Sequence, residues 1–281
     1  MHAELGLIWL LSIPVIAFVC EYVDSTVGMG YGTTLTPLLL ILGFGPLQIV
    51  PAVLFSELCS GLLAGLMHHS AGNVDFSLRT SRAKERIHRF GLVMVIRRTA
   101  SRHLKVAALI ASCSIAGTAI AVLVAVRLDK FYLTLWIGGL VLAIGVFTLA
   151  TVHRQYRFSW KRIMAMGLLA SFNKGLSGGG YGPVVTGGQI LAGVDGKNAV
   201  AITSLAEGLT CLVGFFAYFL IAGHIEWTLV PYITIGALFS VPLSAYSVKR
   251  LKAKHLRLAI GGLAVVLGAV TVGKALLQSL S

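Results

Sequence analysis

Two short glycine clusters carry the strongest chemical signal in the chain: Gly28-Met29-Gly30-Tyr31-Gly32 and Gly178-Gly179-Gly180-Tyr181-Gly182. Glycine lets a backbone leave the helix without steric penalty and lets a ligand approach it closely. Where helix resumes, expected at Thr33 and at Pro183, free N–H groups at the new N-terminus favour an anion. The same clusters would also serve close packing of helices through small residues. Two of them at equivalent repeat positions favour a binding site. The charges beside them differ: Asp24 precedes the first cluster, and Lys174 stands at the equivalent place before the second (174 − 150 = 24). Lys174, with Asn173 as a hydrogen-bond donor, reads as an anion ligand, against the alternative of a lysine that snorkels to the interface. Asp24 is placed either to pair with Lys174 or to titrate. The candidate substrate site is therefore Gly28, Gly30, Tyr31, Gly32 and Thr33 from the first cluster. From the second come Asn173, Lys174, Ser177, Gly178, Gly179, Gly180, Tyr181 and Gly182, the two tyrosines flanking the ligand and adding hydroxyl donors.

Glu57 and Glu207 sit mid-span in the first long apolar segment after each cluster. Carboxylates inside a membrane are costly and mark function. Their two roles here are proton coupling, shared with Asp24, or orientation of the broken backbone; a protonated glutamate would not repel a nearby anion. His68-His69 end an apolar run with no third ligand beside them, which argues against a metal site. The four cysteines lie in apolar stretches without a C-x-x-C pair and read as small buried hydrophobes. Asp75 and Glu226, each followed by an aromatic, mark a repeated helix entry.

These residues must be held inside a bilayer. Of 281 residues 57% are hydrophobic and only 12% charged, with a mean hydropathy of +0.87, whereas soluble domains keep about a quarter of their residues charged. A water-soluble globule and a disordered chain are both excluded, and the apolar blocks read as a polytopic membrane protein. The net charge of +13 suggests nucleic acid, but its placement does not. Nine basic residues fall in 79–105, four in 154–162 and five in 249–257. Basic loops between apolar runs mark the cytoplasmic side, so loops 79–105, 152–162 and 249–257 are expected in the cytoplasm.

Self-similarity organises the rest. Gly30-Tyr31-Gly32 recurs as Gly180-Tyr181-Gly182 (180 − 30 = 150), and Gly28, Thr36 and Glu57 meet Gly178, Thr186 and Glu207 at the same offset. Gly72 to Phe76 meets Gly223 to Trp227 at 151, and Ile137-Gly138-Gly139-Leu140 meets Ile260-Gly261-Gly262-Leu263 at 123. The drop, 151 − 123 = 28, places an insertion in the first half, at the basic stretch of about 79–103. The first repeat, 1–151, reads as a broken segment (5–22 plus 33–44) and spans 46–69, 104–126 and 131–151. The second, 152–281, reads as 162–173 plus 183–194 and spans 197–222, 227–248 and 256–279. With all three basic loops on one side, the stretch between 162 and 249 must cross an even number of times. Its glycine-broken segment then enters and returns on one side. The fold expected is all-α and integral to the membrane: two inverted-topology repeats, each a glycine-broken re-entrant hairpin plus three transmembrane helices. The basic insertion is expected to lie on the anionic cytoplasmic leaflet.

The paired motifs GMGYGTTLTP (Gly28–Pro37) and SGGGYGPVVT (Ser177–Thr186), with Glu57 and Glu207 downstream, resemble the sulfite exporter TauE/SafE family over roughly residues 10–275. Met29 stands where such clusters often carry glycine, and the basic insertion is a second departure. The resemblance implies a bacterial inner-membrane carrier of small sulfur-containing or organic anions such as sulfite, sulfoacetate or sulfonates, working by alternating access. An ion channel is the alternative, because Thr26 to Gly32 partly matches a potassium-channel filter, but the second cluster lacks the Thr-Val pair. An enzyme is not expected, since no nucleophile–base pair or metal triad is legible, and no cofactor is implied. The expected partners are a small anionic substrate and the lipid bilayer, with a homo-oligomer left open and no nucleic acid.

Overall fold

The computed structural model of the protein describes residues 2–77, 100–151, 159–191, 194–222, 225–248, 250 and 253–280. Most of the basic insertion (78–99), residues 152–158 and residues 249, 251 and 252 lie outside the described residues, as do Gly223 and His224 of the second helix-entry repeat. The described residues form ten helices and no strand: α1 (His2–Val27), α2 (Tyr31–Ile41), α3 (Pro46–Ser70), α4 (Arg102–Ala125), α5 (Lys130–Thr151), α6 (Trp160–Ser177), α7 (Tyr181–Leu191), α8 (Gly196–Ala222), α9 (Val230–Ser247) and α10 (Ala253–Leu280). Five of them, α3, α4, α5 (as far as Ala150), α8 and α9, are long and apolar enough to cross a membrane. Their ends fall within about three residues of the spans expected from hydropathy. Proline enters α3 at its first turn and Ser101 caps α4 by accepting the Leu104 N–H at 3.2 Å, both ordinary helix starts.

The broken segments differ from expectation in extent. Helix α1 continues to Val27 and α6 to Ser177, beyond the 22 and 173 read from hydropathy, and the helices resume at Tyr31 and Tyr181 rather than at Thr33 and Pro183. Polar residues make these last turns look non-helical, yet each finds a partner that keeps it in helix: Ser25 Oγ donates to Glu21 at 2.7 Å and Ser177 Oγ to the Asn173 carbonyl at 2.8 Å. Helix α6 is 18 residues long, about 27 Å, close to the ~30 Å hydrocarbon core. A hairpin return at the second cluster therefore rests on the charge distribution, not on short segments. Among the described residues α2 and α7, 11 residues each, are the half-length helices at about 16 Å.

Beside an apolar core the chain buries charged side chains and exposes large apolar ones. Among the described residues Leu220, Phe239, Leu277 and Tyr246 are the most exposed large hydrophobic side chains, whereas Glu21, Asp24, Glu57, Lys174 and Glu207 are all buried. That is the arrangement for a lipid solvent around a polar interior. The principal helix packings are α1 with α9, α4 with α6, α3 with α8, α3 with α9, α4 with α8, and α5 with α10. Exchanging α1–α5 for α6–α10 maps this set onto itself. The central crossing of α3 and α8 is close because Gly61 and Gly208 face each other; a Cβ on Gly61 would meet the Ser204 carbonyl at 2.8 Å.

The two breaks also meet. A Cβ on Gly32 would collide with the Gly178 carbonyl, and one on Gly182 with the Gly28 carbonyl and, at 2.7 Å, with Met29 Cα. Gly182→Ala is therefore expected to destabilise the protein by about 1–3 kcal/mol or more through backbone overpacking. Gly187→Ala, in the same helix with nothing within 4 Å of its added Cβ, is expected to be neutral or to stabilise by up to about 1 kcal/mol from helix propensity. Thermal unfolding midpoints of the two detergent-purified variants check this, and equal midpoints would mean the breaks do not touch.

Candidate functional site

Each break is built by the same device. Gly28 (φ 75°) and Gly30 (φ 143°) interrupt α1 and α2, and Gly178 (φ 70°) and Gly180 (φ 78°) interrupt α6 and α7. These are positive φ values that a side chain would strain. The last helical bond of α1 runs from the Gly28 N–H to the Asp24 carbonyl at 2.6 Å, and that of α6 from Gly178 to Lys174 at 2.8 Å. The two turns interleave: Thr186 lies against Gly28, Thr36 against Gly178, and Thr33 Oγ1 accepts the Gly180 N–H at 3.2 Å. Thr186 in turn donates to Thr203 at 2.7 Å.

What fills the two new helix N-termini differs. At α2 the Asp24 carboxylate accepts the Tyr31 N–H at 3.2 Å, an internal anion at a helix N-terminus. At α7 the equivalent residue is Lys174, which has no acceptor to offer. The Tyr181 N–H has no side-chain acceptor among the described residues.

Lys174 is fully buried and lies between two carboxylates, Glu57 of α3 and Glu207 of α8, its Nζ 2.7 Å from Glu207 Oε1 and in direct ion-pair contact with Glu57 Oε2. Asp24 is within electrostatic reach of Lys174 and Glu207. The structure thus brings Asp24, Glu57, Lys174 and Glu207, far apart in sequence, into one cluster at the breaks. The lysine charge is already countered, so an anion reaches it only when a carboxylate is neutralised or displaced. Glu57 Oε2 also faces the Cys211 thiol at 3.7 Å, while Glu57 Oε1 has no hydrogen-bond partner among the described residues.

The tyrosines are engaged away from the turns. Tyr31 Oη pairs with Ser56 at 2.7 Å and donates to the Ile233 carbonyl at 3.4 Å; Tyr181 Oη accepts from Thr210, which also pairs with Ser114 at 2.5 Å. Asn173 lies along an apolar cavity of about 910 Å³ bounded by α5, α6 and α7, with Trp136, Leu140, Ile144 and Met166 on its walls. Leu140 and Ile144 also cover Gly180. All four cysteines are free thiols, Cys20 and Cys211 buried. Among the described residues no group of His, Cys, Asp or Glu could hold a metal ion.

Several residues escape a reading by composition. Glu21 is a further buried carboxylate one turn before Ser25, signalled only as an acid within an apolar run. Ser56 and Thr210 look like ordinary small residues of apolar helices. His68 is fully buried and hydrogen-bonded, its Nε2 2.9 Å from the Ser25 carbonyl.

Comparison with known proteins adds the family context. The family model described as Sulfite exporter TauE/SafE matches residues 89–271. The chain is also 25% identical over 268 residues to the probable membrane transporter protein YtnM of Bacillus subtilis (strain 168), covering 92% of this chain and 80% of the relative. No solved structure gives a significant match.

Removing one partner of a buried ion pair leaves an uncompensated charge and costs about 3–5 kcal/mol, whereas replacing the whole set is often neutral. Lys174→Met is expected to lower the unfolding midpoint sharply, and the triple variant Lys174→Met, Glu57→Gln, Glu207→Gln to recover most of it. Additive losses in the triple variant would show that the three side chains do not act as a unit.

Proposed function

The chain belongs to the sulfite exporter TauE/SafE family, and on that premise we propose that it is a secondary transporter for a small sulfur-containing or organic anion. In this reading the anion sits at the N-terminus of α7 in the place that the Asp24 carboxylate takes at α2. One observation carries it: the two half-helices are equivalent in position, yet only the first is capped by a carboxylate of the chain itself. An oxyanion such as sulfite or a sulfonate would complete the second, with Gly178–Gly182 allowing close approach and Asn173 adding a donor.

The charge cluster sets the conditions. Asp24, Glu57 and Glu207, with Glu21 beside them, against Lys174 leave a formal −3 when all are ionised (one positive, four negative). At an effective dielectric of about 20, each negative charge ~4 Å from a bound anion opposes it by about 4 kcal/mol. Anion and protons therefore enter together, Glu57 holding a proton at its unpartnered Oε1 and releasing Lys174 toward the substrate. Because the turns touch backbone to backbone, access requires them to part, first to one side of the membrane and then to the other. The self-exchanging helix packing supports two repeats moving against each other, and the basic loops favour an inner-membrane orientation with those loops in the cytoplasm.

Purified protein in liposomes tests this. An inward proton gradient is expected to accelerate uptake of at least one of sulfite, sulfoacetate, thiosulfate and taurine. Glu57→Gln is expected to abolish the acceleration while the same anion still raises the unfolding midpoint, as a ligand of the native state must. No uptake and no stabilisation by any of the four would overturn the proposal.

A further inference from the structure

A helix that breaks strips its last carbonyls of their amide partners. In α1 the first carbonyl so exposed is that of Ser25, since the Gly28 N–H takes the Asp24 carbonyl and Met29 has left the helix. In α6 it is that of Gly175, since Gly178 takes the Lys174 carbonyl and the Gly179 N–H turns to Ser177 Oγ at 3.1 Å. Both carbonyls find a partner from the neighbouring long helix. His68 Nε2 lies 2.9 Å from the Ser25 carbonyl, and Tyr218 Oη donates to the Gly175 carbonyl at 3.0 Å.

These four residues are repeat equivalents: 25 + 150 = 175 and 68 + 150 = 218. Each capping residue follows the membrane glutamate of its own helix by the same interval (68 − 57 = 11 and 218 − 207 = 11). Eleven residues are about three helical turns, so glutamate and cap share one face. Both capping side chains are fully buried. The histidine tautomer is set by Asn73, whose Nδ2 reaches both His68 Nδ1 at 3.0 Å and the Ala245 carbonyl at 2.8 Å. With Nδ1 accepting, the imidazole proton is on Nε2 and points at Ser25.

We propose that His68 and Tyr218 are the positioning residues of the two breaks: each holds the end of one broken helix to the helix that carries Glu57 or Glu207, so that turn and ion cluster move as one body. The consequence for transport rests on the anion reading above; the capping itself does not. Loss of the Tyr218 hydroxyl would loosen the second break, where the anion is placed, and loss of the His68 donor the first, where Asp24 fills the helix end.

The test uses Tyr218→Phe, His68→Leu and the donor-conserving His68→Gln in the full-length protein. Hydrogen exchange is expected to accelerate roughly tenfold or more in 175–183 for Tyr218→Phe and in 25–33 for His68→Leu, each without change in the other break, and to stay near native for His68→Gln. In liposomes, Tyr218→Phe is expected to raise the KM of the transported anion several-fold per folded molecule, while His68→Gln stays near native. Unchanged exchange at both breaks would overturn the inference, as would local acceleration with native KM and Vmax, which leaves the caps merely structural. Accelerated exchange in a protein whose wild type carries none of the anions would overturn the transport reading and leave the caps standing.

Discussion

A primary ammonium group taken out of water without counter-charge is one of the most expensive things a protein can bury. Lys174 is fully buried, and the surrounding helices are arranged to answer its charge. Its two carboxylates come from α3 and α8, so those helices must cross within reach of one nitrogen, and the contact of Gly61 with the Ser204 backbone and Gly208 is what lets them. The same lysine supplies the carbonyl that closes the last hydrogen bond of α6. Ion cluster and backbone break are therefore joined at one residue, as they are at Asp24 in the first half. A change at the cluster is felt at the break within a single residue's backbone.

The two breaks are built from matching contacts and differ in chemistry at a few places. Thr36 and Thr186 each lie on the opposite half's glycine, and Gly32 and Gly182 each meet the opposite half's carbonyl. Within that shared frame Asp24 stands opposite Lys174, Thr33 opposite Pro183, and His68 opposite Tyr218. A fully symmetric pair would hold two like charges and two identical helix ends. The lysine in place of aspartate instead gives one internally capped N-terminus and one that is not, together with a cation that Glu57 and Glu207 share. The difference between equivalent positions, more than the shared pattern, is what makes the two helix ends chemically distinct.

Much of the architecture was legible because hydropathy in a membrane protein reports burial in lipid directly. The five candidate spans and the half-length α2 and α7 follow from apolar runs and glycines alone. The ends of α1 and α6 were not, since Ser25, Asn173, Lys174 and Ser177 look like loop residues until their partners are known. The equivalence of Glu57 and Glu207 was visible in sequence as an offset. Their convergence on Lys174 was not, because one of the two contacts joins opposite halves of the chain, and a repeat offset says nothing about how repeats cross. Tyr31 and Tyr181 illustrate the same limit: the residue type suggests a hydroxyl near a ligand, but α-helical geometry turns both hydroxyls toward Ser56 and Thr210.

His68 and Tyr218 were hidden for a different reason. Alignment of repeats by residue type finds glycine with glycine and glutamate with glutamate, but an imidazole and a phenol share only the capacity to donate one hydrogen bond from a buried ring. What the position requires is a donor long enough to reach a carbonyl on the neighbouring helix, and both rings satisfy that. The constraint arises from the break itself, since backbone that leaves a helix inside a bilayer has no water to turn to and must find its partners in the protein. Wherever glycine allows the backbone to open, a neighbouring side chain has to close the hydrogen-bond account, and the search for such donors follows from the break and not from any motif.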